Sequence, residues 1–115
     1  MPPANHDDRA PGPLSEPLDG IDQTIHAPTR LKILAVLRVV QRADFTYILN
    51  QTGLTRGNLS ANLRKLEDAG YLHIEKTFVD RTPRTLISLT PAGHQAIETY
   101  RENMQLVLDE LLSGP

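Results

Sequence analysis

The chain has no cysteine. That absence excludes disulfides, zinc ribbons and thiol nucleophiles, and it leaves the redox environment open because a cysteine-free chain tolerates either. No apolar run approaches the roughly 20 residues needed to span a bilayer, and the N-terminus lacks the basic and apolar pattern of a signal peptide. No membrane partner is expected, and the expected location is the cytoplasm. A Gly-rich phosphate loop, a nucleophile elbow and a paired-carboxylate motif are missing too. The histidines, His6, His26, His73 and His94, are scattered, with neither an i, i+4 pair nor the spacing of zinc ligands. No metal, cofactor or enzymatic activity is therefore expected. His26 should support the turn before Pro28, and His73 should lie on the outer face of a strand.

A general excess of positive charge is also lacking, since the net charge is −2, so any nucleic-acid role must come from local charge. Local charge is uneven. Residues 1–22 set Arg9 alone against Asp7, Asp8, Glu16, Asp19 and Asp22, whereas residues 23–53 set Arg30, Lys32, Arg38 and Arg42 against Asp44 alone. Residues 54–90 stay slightly basic, setting Arg56, Arg64, Lys65, Lys76, Arg81 and Arg84 against Glu67, Asp68, Glu75 and Asp80, and residues 91–115 turn acidic again.

A length of 115 residues fits one domain with its own core. The opening MPPANHDDRAPGPLSEP holds five of the nine prolines and few apolar residues. It cannot bury enough surface to offset ordering entropy, so residues 1–13 read as a disordered, acidic, Pro-rich tail and 14–115 as the folded domain. Leu14, Leu18, Ile21 and Ile25 then follow at helical spacing, which predicts a short helix that Gly20 weakens. HAPTRLKILAVLRVV places Pro28 in a first turn, with Leu31, Leu34, Ala35 and Leu37 or Arg38 around a core-facing helix. ADFTYILNQTG reads as an extended piece at Phe45, a Thr46 cap, a short helix carrying Ile48 and Leu49, and a stop at Gly53.

Thr55 caps the next helix, which runs to Ala69 and stops at Gly70. YLHIEKTF alternates Leu72, Ile74 and Phe78 with His73, Glu75 and Thr77, and RTLISLT alternates around Leu86 and Ser88, so both read as strands. The intervening VDRTPR has no Asn-Gly, which predicts a long, loose connection between them. Thr90 and Pro91 open a last helix that continues to about Leu112.

Two helices joined by a three-residue turn and followed by a hairpin make a winged helix, mainly α with a small β-hairpin. Leu59, Leu63 and Leu66 fix the inner face of the second paired helix, which turns Gly57, Asn58, Ala61, Arg64, Lys65 and Asp68 outward and Arg56, Ser60 and Asn62 towards the flanks. A major groove about 12 Å wide admits one helix if bulky side chains do not hold it off, and Gly57 and Ala61 permit that approach. Arg56 and Asn58 are the candidates for base edges, guanine and adenine respectively. Thr55, Ser60, Asn62, Arg64 and Lys65 complete the candidate surface, with phosphates the targets of Ser60, Arg64 and Lys65. Arg81 and Arg84 lie between the strands, where arginine can enter a minor groove.

HAPTRLKIL, GLTRGNLSANLRKLEDAGYL and RTPRTLISLTPAG resemble the winged helix-turn-helix transcriptional regulators of the MarR and ArsR type, especially small single-domain members. The resemblance covers residues 18–100. It implies a homodimeric regulator of bacterial or archaeal type that binds double-stranded DNA, with the helix from Arg56 in the major groove and the loop around Arg81 as the wing. Asp80 with Arg81 is similar to the wing Asp and Arg of MarR-type proteins, at a different spacing. ArsR-type metal-sensing cysteines are absent, so the sensed signal does not transfer, and a small-molecule effector stays open.

Within the last helix, about 91–112, Ile97, Tyr100, Met104, Val107 and Leu111 repeat at 3, 4, 3 and 4 as a heptad seam, with Leu108 beside it. About two heptads alone would be marginal. The expected dimer interface therefore adds Leu14, Leu18, Ile21 and Ile25. The expected function is a sequence-specific transcriptional regulator acting as a homodimeric repressor; the alternative is a winged helix used to dock proteins without binding DNA.

Overall fold

The computed structural model describes residues 18–113. Its elements are α1 (Pro28–Val40), β1 (Arg42–Asp44), α2 (Phe45–Thr52), α3 (Arg56–Asp68), β2 (Leu72–Val79), β3 (Thr82–Leu89) and α4 (Pro91–Leu112). The strands form one antiparallel sheet in the order β1-β3-β2. The element order is that of a winged helix: α2, Gly53–Thr55 and α3 form the helix-turn-helix, and β2 and β3 form the wing.

Each helix begins and ends where local chemistry dictates. Pro28 occupies the first turn of α1, where its missing N–H is no loss. Thr55 Oγ1 accepts from Asn58 N at 3.1 Å to open α3, and Thr90 Oγ1 accepts from Gly93 N at 2.9 Å to open α4. Gly53 closes α2 in the left-handed region at φ 70°. At the end of α3, Gly70 N donates to Glu67 O and Tyr71 N to Leu66 O, so two otherwise orphaned carbonyls are satisfied as the chain turns into β2.

The core lies between α1, α2, α3 and one face of the sheet. Ile33, Leu37, Ile48, Leu59, Leu66 and Ile87 are fully buried there. Truncating such a residue to alanine costs roughly 2–5 kcal/mol. Ile33, Leu34 and Leu37 form the inner face of α1, and Ala35 is exposed, so the apolar stripe is rotated from the one expected.

Four other expectations change. Asp44, not Thr46, caps α2, its Oδ1 accepting from Tyr47 N at 2.7 Å. Phe45 is helical, and the extended piece before it is β1, whose three residues pair with β3. The wing has no loose loop. Val79 pairs with Thr82 across Asp80 and Arg81, whose φ values of 51° and 66° are those of a type I′ turn matching the strand twist. Pro83 is accommodated because its pair with Phe78 falls one beyond the turn-flanking pair, and β1 ends before reaching its open side.

The fourth concerns the N-terminal stripe. Leu18 and Asp19 are helical, but residues 20–27 are turns and irregular chain. Asp22 Oδ1 accepts from Thr24 N at 2.8 Å and Ile25 N at 3.3 Å, a local turn that competes with helix. Ile21 and Ile25 are consequently drawn inward, 6% and 1% exposed, and cannot face a second copy as expected. Leu14 lies outside the described residues, and Leu18 is exposed.

Candidate nucleic-acid interface

The surface of α3 divides sharply. Leu59, Leu63 and Leu66 are buried, while Arg56, Gly57, Asn58, Ser60, Ala61, Arg64 and Lys65 are exposed, with Thr55 exposed at the cap. A Cβ placed on Gly57 would meet nothing within 4 Å. Glycine here answers no need of the protein's own packing. Arg56 carries its guanidinium carbon 5.8 Å from the Phe45 ring centroid, a cation–π stack that restricts the arginine beside the start of the helix.

Asn62 departs from the expected flank. It is 8% exposed, and Arg30 Nη1 donates to its Oδ1 at 3.0 Å. Its Nδ2 donates back to Asn58 O at 2.8 Å and Asn58 Oδ1 at 2.6 Å. A buried amide must be paired, and this one is paired within the chain, so Asn62 does not present itself to a ligand. Arg30 is held in turn, donating through Nε to Thr24 O and through Nη2 to Gln23 O.

The sheet register sorts the wing. Leu72, Ile74, Lys76 and Phe78 share one face with Leu89, Ile87, Thr85 and Pro83, and Leu72 and Ile87 on it enter the core with the α3 leucines. Past the core, a cleft of about 370 Å³ runs between α3 and this face, lined by Ser60, Arg64 and Glu67 on one side and Lys76 and Thr85 on the other. Phe78 continues that face to the tip and is 71% exposed. Lys76 was not singled out from the sequence, although the period-2 phase set by Leu72 and Ile74 places it there. Arg81 is exposed at the turn. Arg84 lies on the opposite face, where Nη1 pairs with Asp44 Oδ2 at 3.0 Å, so it ties the wing to the start of α2 instead of standing free beside α3.

Of the remaining cations, Lys32 on α1 is exposed and lacks an ion-pair partner among the described residues. Arg38 and Arg101 pair with Glu98, and Arg42 pairs with Glu75, all away from the outer face of α3. Among the described residues, Arg56, Arg64, Lys65, Lys76 and Arg81 have no ion-pair partner. The outcome is a set of cations on α3 and the wing that form no ion pairs, interspersed with the exposed acids Glu67, Asp68 and Asp80, in a chain whose net charge is −2.

Away from this surface, Tyr71 and α4 join the turn at 20–27. The Tyr71 hydroxyl donates to Asp22 Oδ2, and that hydrogen bond, with burial and the carboxylate charge, pushes the phenol up to about 12. His26 Nδ1 and Tyr100 OH are hydrogen-bonded at 2.9 Å, and burial raises the Tyr100 phenol as well. His73 is exposed on β2, as expected. Of the expected dimer residues on α4, Ile97 and Tyr100 pack on the core, Met104 is half-buried, Val107 is buried, and Leu108 and Leu111 are exposed with Leu106 and Leu112. Asn103 Nδ2 donates to Gly20 O at 3.1 Å, laying residues near 20 alongside this helix. Among the described residues no cluster of three or more metal-ligating side chains occurs, and no helix is long and apolar enough to cross a membrane.

Comparison with known proteins agrees with this geometry. A family model described as a winged helix DNA-binding domain matches residues 29–108. An uncharacterized protein of Methanocaldococcus jannaschii is 35% identical over 71 residues, 62% of this chain and 77% of that protein. The solved structure of a transcriptional regulator homologue from Pyrococcus horikoshii OT3 is 32% identical and superposes with a TM-score of 0.77, covering 84% of this chain and 97% of that one. The M. tuberculosis transcriptional regulator MosR, solved in complex with DNA, shares the fold at 19% identity and a TM-score of 0.61, over 89% of this chain and 71% of that one. The chain belongs to the winged helix DNA-binding domain family and is a winged-helix transcriptional regulator.

Proposed function

We propose that the protein is a homodimeric repressor that reads a specific DNA sequence with α3 in the major groove and the wing tip at the adjacent minor groove or backbone. The carrying observation is the set of five cations on α3 and the wing that have no ion-pair partner among the described residues. Arg56 and Asn58 address base edges from the first turn of α3. Thr55, Ser60, Arg64 and Lys65 hold phosphates, and Gly57 lets the backbone approach. Arg81 enters the minor groove, with Lys76 following the wing. Arg84 contributes by fixing the wing to Asp44, and Asn62 by supporting Asn58.

Dimerisation rests on the far half of α4. Leu108 and Leu111, with Leu106 and Leu112 beside them, are too exposed to stabilise a monomer. Two-fold pairing there would set the reading helices roughly 34 Å apart, one turn of DNA. Occupying such a site is enough to exclude another protein from it, which is why repression is the expected outcome. The apolar cleft between Ile25, Leu34, Ile97 and Tyr100 measures about 190 Å³, below the roughly 300–1,000 Å³ of most small-molecule sites, so no effector is assigned to that cleft.

Selection of bound fragments from genomic DNA, followed by titration at several salt concentrations, tests the reading. About ten phosphate contacts in a dimer give a log–log slope no steeper than about −9. Binding that ignores salt, or no binding, would defeat it; unchanged nucleic-acid affinity in Arg56→Ala and Arg81→Ala would favour the docking alternative. Light scattering should show a dimer at micromolar concentration that Leu108→Glu/Leu111→Glu converts to a monomer.

A further inference from the structure

The Arg30–Asn62–Asn58 chain runs in one direction only. A guanidinium has donors and no acceptor, so the group that Arg30 meets on Asn62 must be the amide oxygen. The Asn62 amide nitrogen must then point along α3, where it meets two acceptors, Asn58 O and Asn58 Oδ1. This fixes Asn58 as well: its oxygen faces back into the protein, and its NH2 is left outward on the exposed side of the first turn. Amide orientation is normally decided by the surrounding network, and here the network begins at a group with a single possible polarity. Arg30 is itself locked by the carbonyls of Thr24 and Gln23.

We infer that Arg30 and Asn62 are positioning residues that set the specificity of Asn58, making it a hydrogen-bond donor towards the DNA. The bidentate adenine contact open to a free asparagine uses its oxygen and its nitrogen together. With the oxygen engaged by Asn62, Asn58 instead selects a base edge that presents an acceptor, guanine N7 or O6, adenine N7 or thymine O4. It discriminates against the cytosine N4 donor. The inference rests on the proposed reading of DNA by α3.

The test is selection from a randomised duplex library by the full chain, with sequencing of the bound pool. The wild type should disfavour cytosine at one position in each half-site. Asn58→Ala should lose that preference alone and weaken binding to the selected duplex by about three- to tenfold. Asn62→Asp reverses the chain, because a carboxylate accepts from Arg30 and can only accept from Asn58. Asn58 then turns its oxygen outward, and the preference at that same position should shift to cytosine or adenine, whose amino groups donate.

In the free wild-type protein, NMR should show slow solvent exchange for the Asn62 NH2 protons and fast exchange for those of Asn58. Protected Asn58 NH2 protons overturn the inference whether or not Asn62→Asp folds. A folded Asn62→Asp protein with the wild-type preference, or Asn58→Ala with no change at any position, also overturns it while leaving DNA binding intact. A wild-type chain that enriches no duplex overturns the DNA reading and this inference together.

Discussion

Two helices of this protein begin alike and serve opposite demands. Thr55 caps α3 with a glycine two residues on, and Thr90 caps α4 with a glycine three residues on. At Gly93 an added Cβ would fall 2.2 Å from Tyr71 O and 3.0 Å from Tyr71 C, whereas at Gly57 it would meet nothing within 4 Å. Gly93 is required by the protein's own packing. Gly57 is not, so the reason for leaving α3 bare at that point lies outside the chain, where the proposed DNA backbone would be. A glycine near a capped helix start thus carries a folding constraint at Gly93 and, on the proposed reading, a binding constraint at Gly57.

The sharpest way to break the comparison is substitution at both glycines. Gly93→Ala should destabilise the protein by roughly 1–3 kcal/mol, the usual cost of overpacking, because backbone must shift to admit the methyl group. Thermal unfolding should show a fall of roughly 4–8 °C for each kcal/mol lost. Gly57→Leu should leave the unfolding midpoint unchanged or raise it, since glycine inside a helix costs up to about 1 kcal/mol relative to alanine. The same variant should weaken binding to a selected duplex about tenfold, equivalent to about 1.4 kcal/mol. Equal affinity for Gly57→Leu and wild type would remove the external reason for the glycine.

The two caps sharpen the contrast at smaller scale. Thr90 Oγ1 accepts from Gly93 N and also donates to Gly70 O at 2.6 Å, whereas the Thr55 hydroxyl has only its capping bond. Thr90→Ala should therefore cost about 1–2 kcal/mol and Thr55→Ala about 0.5–1 kcal/mol in denaturant unfolding. Similar losses at the two positions would show that the tie to Gly70 adds nothing.

The smallest effect concerns Tyr71, whose carbonyl abuts Gly93. Its neutral phenol is the form favoured by folding, with a midpoint raised from 10.0 to about 12. The contribution of its bond to Asp22 is present in full below pH 10 and is lost as pH rises from 10 through about 12. Absorbance titration of the phenolates should lose one of two late-titrating tyrosines in Tyr71→Phe, Tyr100 being the one that stays, and the variant should lose the matching alkaline decline in stability.

Much of this architecture was legible in the chain because it is decided locally. Thr55 and Thr90 are caps whose partners lie three residues away, Gly53 and Gly70 adopt positive φ at helix ends, and Leu59, Leu63 and Leu66 define a face by spacing alone. What escaped is decided at a distance. The three residues of β1 are held by pairing to Leu86–Ser88, which no local pattern announces. The turn at Asp80 and Arg81 adopts positive φ because strand twist demands it, without the glycine that usually signals it. Asn62 reads as polar and therefore outward until Arg30, 32 residues earlier, is brought beside it. Ile21 and Ile25 fit a helical stripe, but the Asp22 side chain offers the backbone a different set of bonds. Of the candidate site, the exposed cations of α3 follow from the leucine phase. The fates of Arg84 and Asn62 follow only from their distant partners.

The contact between Gly93 and the Tyr71 carbonyl also gives the molecule a fulcrum. That carbonyl accepts from Thr90 N, and the Tyr71 amide closes the end of α3 on Leu66. The arm that starts there is α4, whose 22 residues extend for about 33 Å. A bulky side chain at the pivot would act as a cushion and absorb a change in the arm's tilt. Bare backbone lies on bare backbone instead, so α4 is seated directly on the segment that closes α3.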